Sequence, residues 1–251
     1  MRFVHYTVII FISLLLSGCA KTTSIRHSAN YLDNLRGSKE IIILPPKVEI
    51  NMVDTGGRRE RMYDYEDHLA KVVEQQAKEV MSKIGYRVKA LHKKDLHEQK
   101  LMDHTMALTH TYDTAREELY GSVLWKEDVA FSINKPLSPE VILLGSAVKG
   151  DIFLMIDYVG SIKTNGARAV AFAMSLLTGV GAENADNAAM IVGLIDAKTG
   201  AVIWSNIVSE SHCVITSAVT NLSSQDKIEI ARLDRMLERV FQPLRADLSK
   251  K

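Results

Sequence analysis

The chain has 251 residues, with 31 lysines and arginines against 30 aspartates and glutamates and 47% hydrophobic residues. So even a charge balance excludes recognition of nucleic acid through a broad basic face. Two cysteines, Cys19 and Cys213, leave no room for a disulfide framework.

Arg2 supplies a positive start, Val8 to Leu16 an apolar run, and the small pair Ser17-Gly18 stands directly before Cys19. That is the order of a signal peptide and its cleavage site. The apolar run is well short of the roughly 20 residues a permanent spanning helix needs. Leu16-Ser17-Gly18-Cys19 resembles the lipobox of a bacterial lipoprotein. The resemblance implies that residues 1–18 are removed and that Cys19 is lipidated, carrying three acyl chains as the first residue of the mature protein. Several chains on one residue anchor far more firmly than one. By the same resemblance, Ala20 after the cysteine, rather than Asp, implies sorting to the outer membrane, facing the periplasm. The alternative is an ordinary cleaved signal peptide, or a short anchor helix with an incidental cysteine. Loss of residues 1–18 removes Arg2 and no acid, so the mature chain carries no net charge.

Residues 19–38 read as the lipidated Cys and a flexible tether, polar and without periodicity. Residues 39–251 are long enough for a single α/β domain with its own core. Glu40 to Leu44 is a buried strand halted by Pro45-Pro46. Asn51 to Arg61 has the composition of a loop. A helix is expected from Asp64, its candidate cap, through Leu69, Val72, Val73, Val80, Met81 and Ile84 to a stop at Gly85. Tyr86-Arg87-Val88 is a brief strand, and residues 95–129 hold one or two helices.

Ser138-Pro139-Glu140 opens another helix. Asp151 to Val159 is a strongly β run. The apolar segment Ala167 to Val180 is either a core helix or an apolar face presented to a partner or a bilayer. Two strands, Ala189 to Ile195 and Ala201 to Trp204, flank Asp196-Ala197-Lys198-Thr199-Gly200, a turn closed by a left-handed glycine. An amphipathic helix follows, with Ile230, Leu233, Leu237, Val240, Phe241 and Leu244 on one stripe and Pro243 within it. The alternation implies an α/β (α+β) fold with a single mixed sheet flanked by helices.

The strand ending in Leu44-Pro45-Pro46, the strand from Asp151 and the hairpin from Leu194 to Trp204 together resemble a periplasmic lipoprotein superfamily. Its members share the fold of the amino-terminal domain of the Tol-system propeller protein. They include the curli-secretion channel lipoprotein, outer-membrane activators of penicillin-binding proteins and neisserial-type surface lipoproteins. The resemblance spans about Glu40 to Ser209, with 95–137 and 163–187 departing from the compact pattern. It implies a protein-binding domain, often oligomeric, that performs no chemistry, and it transfers no functional residue.

Reaction chemistry is hard to assemble from the residues. His68, His92, His97, His104 and His110 cluster in sequence, but gaps of five, seven and six place successive ones on different helix faces. His97-Glu98 starts like a zinc-protease motif, yet its fifth position is Leu101. Gly179-Val180-Gly181 lacks the third glycine of a dinucleotide loop. Asp151 and Asp157 are six residues apart and read as a strand-edge acid and a solvated one rather than a catalytic pair. Cys213, between His212 and Val214, reads as a buried thiol. Arg58, Arg59 and Arg61 form the one concentrated basic patch. With Phe172, Leu176 and Leu177 of the apolar segment, they are the candidates for partner or membrane contact.

No catalytic residue, metal or cofactor is expected beyond the covalent lipid on Cys19. The expected role is a scaffold or activator of an envelope complex, bound to envelope proteins or to itself and not to nucleic acid. The alternative is an oligomeric pore or secretion-accessory lipoprotein resembling the curli-secretion channel.

Overall fold

A computed structural model describes residues 21–121, 128–131, 136–164, 166–167, 187–211 and 222–249. Nine strands in that set form one sheet: β1 (Lys21–Ser28), β2 (Glu40–Ile43), β3 (Lys47–Val53), β4 (Arg59–Arg61), β5 (Arg87–Ala90), β6 (Asp128–Phe131), β7 (Ile152–Lys163), β8 (Asn187–Asp196) and β9 (Val202–Ser211). Six helices accompany them: α1 (Tyr31–Gly37), α2 (Tyr63–Ile84), α3 (Lys93–Glu98), α4 (Met102–Tyr120), α5 (Pro139–Val148) and α6 (Leu222–Ser249). The sheet runs β4-β3-β7-β8-β9-β1-β6, with β2 and β5 on a side path beside β7. It is mixed: β7, β8 and β9 form an antiparallel meander, while β2 and β3 pair with β7 in parallel. The expected single mixed sheet flanked by helices is therefore present.

Strand alternation sorts the side chains between two cores. Ile41, Ile43, Ile152, Leu154 and Ile156 face one layer, packed under α1, α2 and α6 with Leu35, Leu69, Val73, Leu237 and Phe241. Ile42, Phe153 and Met155 face the other, under α3, α4 and α5 with Leu96, Leu108, Tyr112 and Val141. With both faces covered, β7 has to be apolar throughout its first half, and Ile152 to Ile156 are all buried.

Helix α2 ends as its sequence dictates, with Gly85 at φ 111° and its N–H bonded to Ser82. Its cap position is Met62, and Asp64 sits inside the first turn beside the positive end of the helix dipole. Ser138 stands at the cap position of α5 with Pro139 at the helix start, as expected, although its hydroxyl makes no capping bond. The Asp196–Gly200 turn is pinned by the Asp196 carboxylate, which accepts from the N–H of Lys198 and Thr199 at 2.8 Å each, with Gly200 at φ 71°.

Two expected segments are overturned. The stretch 20–38 is not a tether over its described part: Lys21–Ser28 lies between β9 and β6 as an inner strand, and Tyr31–Gly37 is a helix. Two of its polar residues, Ser24 and Arg26, are buried, and the Arg26 side chain donates to the carbonyls of Leu119 (3.0 Å) and Ile25 (2.8 Å) and lies over the Tyr120 ring. Asn51–Arg61 is not a loop but a hairpin, in which β3 and β4 pair from Asn51↔Arg61 to Val53↔Arg59. Pro45-Pro46 does halt β2, as expected, but the chain then resumes beside the same β7 as β3.

Candidate functional site

The interruption at Pro45-Pro46 creates the site. Ile43 lies opposite Leu154 and Lys47 opposite Asp157. The β2–β3 chain thus uses four steps where β7 uses three, a one-residue bulge carried by two prolines that have no N–H for the ladder. There the sheet edge opens between α2 on one face and α4 on the other. A cleft of about 450 Å³ occupies the gap, with Leu44, Pro45, Pro46, Leu96 and Met155 on its walls. Tyr63, 66% exposed, is also in its lining.

The charged groups of the cleft are paired with one another. The Arg61 Nε donates to both carboxylate oxygens of Glu66, at 2.8 and 3.1 Å, and its guanidinium stands 5.0 Å from the Tyr63 ring centre. Glu66 also accepts the Ile50 N–H at 3.0 Å, doing for β3 what a neighbouring strand would otherwise do. Burial pushes the Glu66 carboxyl up, but Arg61 and the Ile50 N–H together outweigh it and hold the group below its ordinary range. Deeper in, the Arg116 guanidinium of α4 reaches Asp157 and Asp113, and Lys47 approaches Asp113 at 3.4 Å. For Asp157 burial wins: it raises the carboxyl above its ordinary range, and Arg116 recovers only part of the shift. Lys93 and Asp67 form a looser pair at 3.9 Å on the rim.

The hydroxyls near the cleft are committed to their own helix. Thr105 donates to the Leu101 carbonyl at 3.0 Å and Thr109 to that of Thr105 at 2.9 Å. The arrangement offers an apolar recess edged by compensated charge, the anatomy of a surface that seats apolar side chains.

The structure divides the basic patch. Arg61 turns into the cleft, whereas Arg58 and Arg59 remain exposed at the β3–β4 turn, with Arg58 against Asp54 at 3.3 Å. Cys19, Phe172, Leu176, Leu177, Cys213 and Gly179-Val180-Gly181 lie outside the described residues. Asp151 edges β7, its carboxylate taking the Lys198 ammonium at 2.9 Å and the N–H groups of Lys39 and Glu40. Asp157 was expected in solvent and is instead buried at the cleft. The histidines are dispersed: His68 is beside the Tyr65 ring, His92 is 3.3 Å from Glu74, and His104 and His110 are on α4. Among the described residues, no group of three or more His, Cys, Asp or Glu is placed to hold a metal ion.

Glu66 escaped the sequence reading, and Asp157 was named in it only as a solvated acid. Asp157 was visible as a lone acid inside an otherwise apolar strand, and Pro45-Pro46 marked the bulge opposite it.

No protein-family model matches the chain. No curated protein matches it. Among solved structures it is similar to the PelC dodecamer from Paraburkholderia phytofirmans, at 10% identity and a TM-score of 0.41, over 90% of this chain and 98% of that one. It is also similar to the lipoprotein GNA1162 from Neisseria meningitidis (14% identity, TM-score 0.29, 78% of this chain and 94% of that one). A further similarity is to the LpoB C-terminal domain from Salmonella enterica (8% identity, TM-score 0.28, 74% of this chain and 96% of that one). These overlaps are too loose to carry a functional conclusion. No helix among the described residues is long and apolar enough to cross a membrane.

Proposed function

We propose that this protein is a lipid-anchored envelope protein of the outer membrane, facing the periplasm, that acts by binding other proteins rather than by catalysis. The observation that carries the reading is the sequence around Cys19. A leader and lipobox end there, and with only Ala20 between, the chain enters an inner strand of the sheet. An acyl-modified Cys19 would thus fasten the folded domain itself to the bilayer. The Pro45-Pro46 cleft supplies the contact: apolar walls and mutually paired charges suit a segment of a partner protein better than a reacting small molecule.

A photo-crosslinking residue in place of Tyr63 tests this in intact cells, in the full chain and in its Cys19→Ala variant. A discrete protein adduct, strongly reduced by Cys19→Ala, is the expected result. Background labelling alone from Tyr63 would overturn the protein-binding reading. A mature N-terminal peptide without diacylglycerol would overturn the anchor.

A further inference from the structure

Strand register places several features at one end of the sheet. Lys21, Glu210, Ala188, Gly160 and Ile50 lie in one row across β1, β9, β8, β7 and β3. Beyond that row, β3 continues through Asn51, Met52 and Val53, about 10 Å at 3.3 Å per residue. The chain then turns at Asp54–Arg58 and returns as β4. β1 begins in this row at Lys21, and the chain reaches Lys21 from Cys19. Two peptide units separate it from Lys21, so its Cα is within about 7.6 Å of the Lys21 Cα. The end of the sheet that carries the turn is therefore the end to which Cys19 is covalently joined.

The turn is built to hold its shape. The Asp54 carboxylate accepts from the N–H of Gly56 and of Arg58 at 2.9 Å each, and those bonds, the Arg58 backbone bond first, hold its pKa below the usual carboxylate range. The Gly57 N–H donates to the Asp54 carbonyl at 3.1 Å, with Gly57 at φ 79°. A side chain at that φ would be strained. Arg58 is 87% exposed at the tip and Arg59 is exposed beside it. Lys163 shares the row of Val53 and Arg59, so Lys163 and Arg59 belong to one face. Among the described residues, the acids of this end are Asp54, already engaged by the turn and by Arg58, Glu60, which alternates to the other face of β4, and Glu210, paired with Arg235 at 2.9 Å.

We infer that this end of the sheet rests on the lipid surface, with Arg58 and Arg59 against the phosphates of anionic headgroups; the inference rests on the anchor reading of Cys19. An acylated Cys19 sits at the bilayer interface, and no tether intervenes to lift the domain away. The turn is then within about one Debye length, roughly 8–10 Å, of the headgroup layer, where a basic side chain gains from anionic lipid. The opposite end, at Asp196–Gly200, is nine residue steps along β8 from Asn187, about 30 Å farther out.

The test uses full-length lipidated protein carrying Cys213→Ser, with a fluorophore on Thr55→Cys or on Lys198→Cys. Each is reconstituted into vesicles holding one part phosphatidylglycerol in about four and a headgroup-attached quencher. The expected result is quenching several-fold stronger at position 55 than at position 198. Arg58→Glu with Arg59→Glu is expected to cut that preference, with about five-fold weaker headgroup attraction per arginine removed. Equal quenching at the two positions, in protein whose N-terminal peptide mass includes diacylglycerol on Cys19, would overturn the orientation and leave the anchor standing. A peptide mass without that lipid would overturn both. A preference at position 55 that the double charge reversal leaves unchanged would overturn the part given to the arginines.

Discussion

Gly193 offers the sharpest test of the packing, because two effects there have opposite signs. Glycine in a strand interior costs about 0.5–1 kcal/mol relative to alanine, so backbone entropy alone makes Gly193→Ala stabilising. The structure predicts the reverse. A Cβ at 193 would stand 2.2 Å from the Tyr112 hydroxyl oxygen and 2.4 Å from its Cζ. Ordinary contact needs about 3.5 Å or more, so the ring would have to retreat by over 1 Å. It has little space to do so. Tyr112 is buried on α4, and its hydroxyl meets Ser205 Oγ at 3.1 Å, while Ser205 also receives the Tyr120 hydroxyl at 2.9 Å. Ser205 is the register partner of Gly193, so ring, glycine and serine form one contact across β8 and β9. Overpacking costs about 1–3 kcal/mol. Weakening the Tyr112–Ser205 bond adds about 1 kcal/mol. With the backbone gain subtracted, a net loss of about 1–3.5 kcal/mol follows, read as a lower urea midpoint at unchanged slope. In the Tyr112→Leu background the new methyl group enters vacated space, and the double variant should be at least 1 kcal/mol more stable than additivity allows. A neutral or stabilising Gly193→Ala, or strict additivity, would refute the account.

Glu66→Ala should cost about 2–4 kcal/mol in urea unfolding, because it strands the buried Ile50 N–H and removes a charge-assisted pair with Arg61; a loss under 1 kcal/mol would contradict that. Carboxylate titration should split by sign. Glu66 and Asp151, both lowered in the fold, contribute stability that is complete above their unfolded pKa values and lost as pH falls through the folded ones. Asp157, raised mainly by burial, contributes most below its unfolded pKa and loses that as pH rises through its folded one. Asp157→Asn should therefore remove a loss of stability that sets in as pH rises above about 4, as measured by urea midpoints at several pH values. At the alkaline end, burial pushes the Tyr86 and Tyr120 phenols up to about 12, and Tyr31 and Tyr112 are raised further. Absorbance near 295 nm should show these four ionising late or together with unfolding, since the stability they give below about pH 10 is lost as pH climbs through their folded values.

The parts of the fold that could be read from sequence are those where one local rule acts alone. The Asp196–Gly200 turn, the Gly85 stop and the Ser138-Pro139 start are each set by backbone chemistry within a few residues, and each stands where its residues placed it. The misreadings occur where tertiary contact overrides composition. Lys21–Ser28 contains Lys, Thr, Ser, Arg and His, and by composition it has no reason to be a strand. It becomes one because β9 and β6 pair with both its edges and because Arg26 finds backbone carbonyls in the interior. The basic patch is divided for a related reason: in β4, alternation and the fixed position of Glu66 draw Arg61 inward, while Arg58 belongs to the turn.

Pro45-Pro46 joins the fold to the proposed role. A strand that continued straight from β2 into β3 would cover the edge of β7 at Met155 and Ile156, and neither cleft nor exposed wall would exist. One extra residue and two missing N–H groups keep that edge open. The walls that remain are apolar, and an apolar opening at a sheet edge invites unwanted strand pairing. The surrounding charges limit this. Glu66 occupies the Ile50 N–H, and Arg116 holds Asp157 at the floor, so an entering segment meets side chains rather than a free row of backbone donors. Selectivity at such a site rests on which side chains fill the recess, a property suited to one partner segment and poorly suited to indiscriminate aggregation.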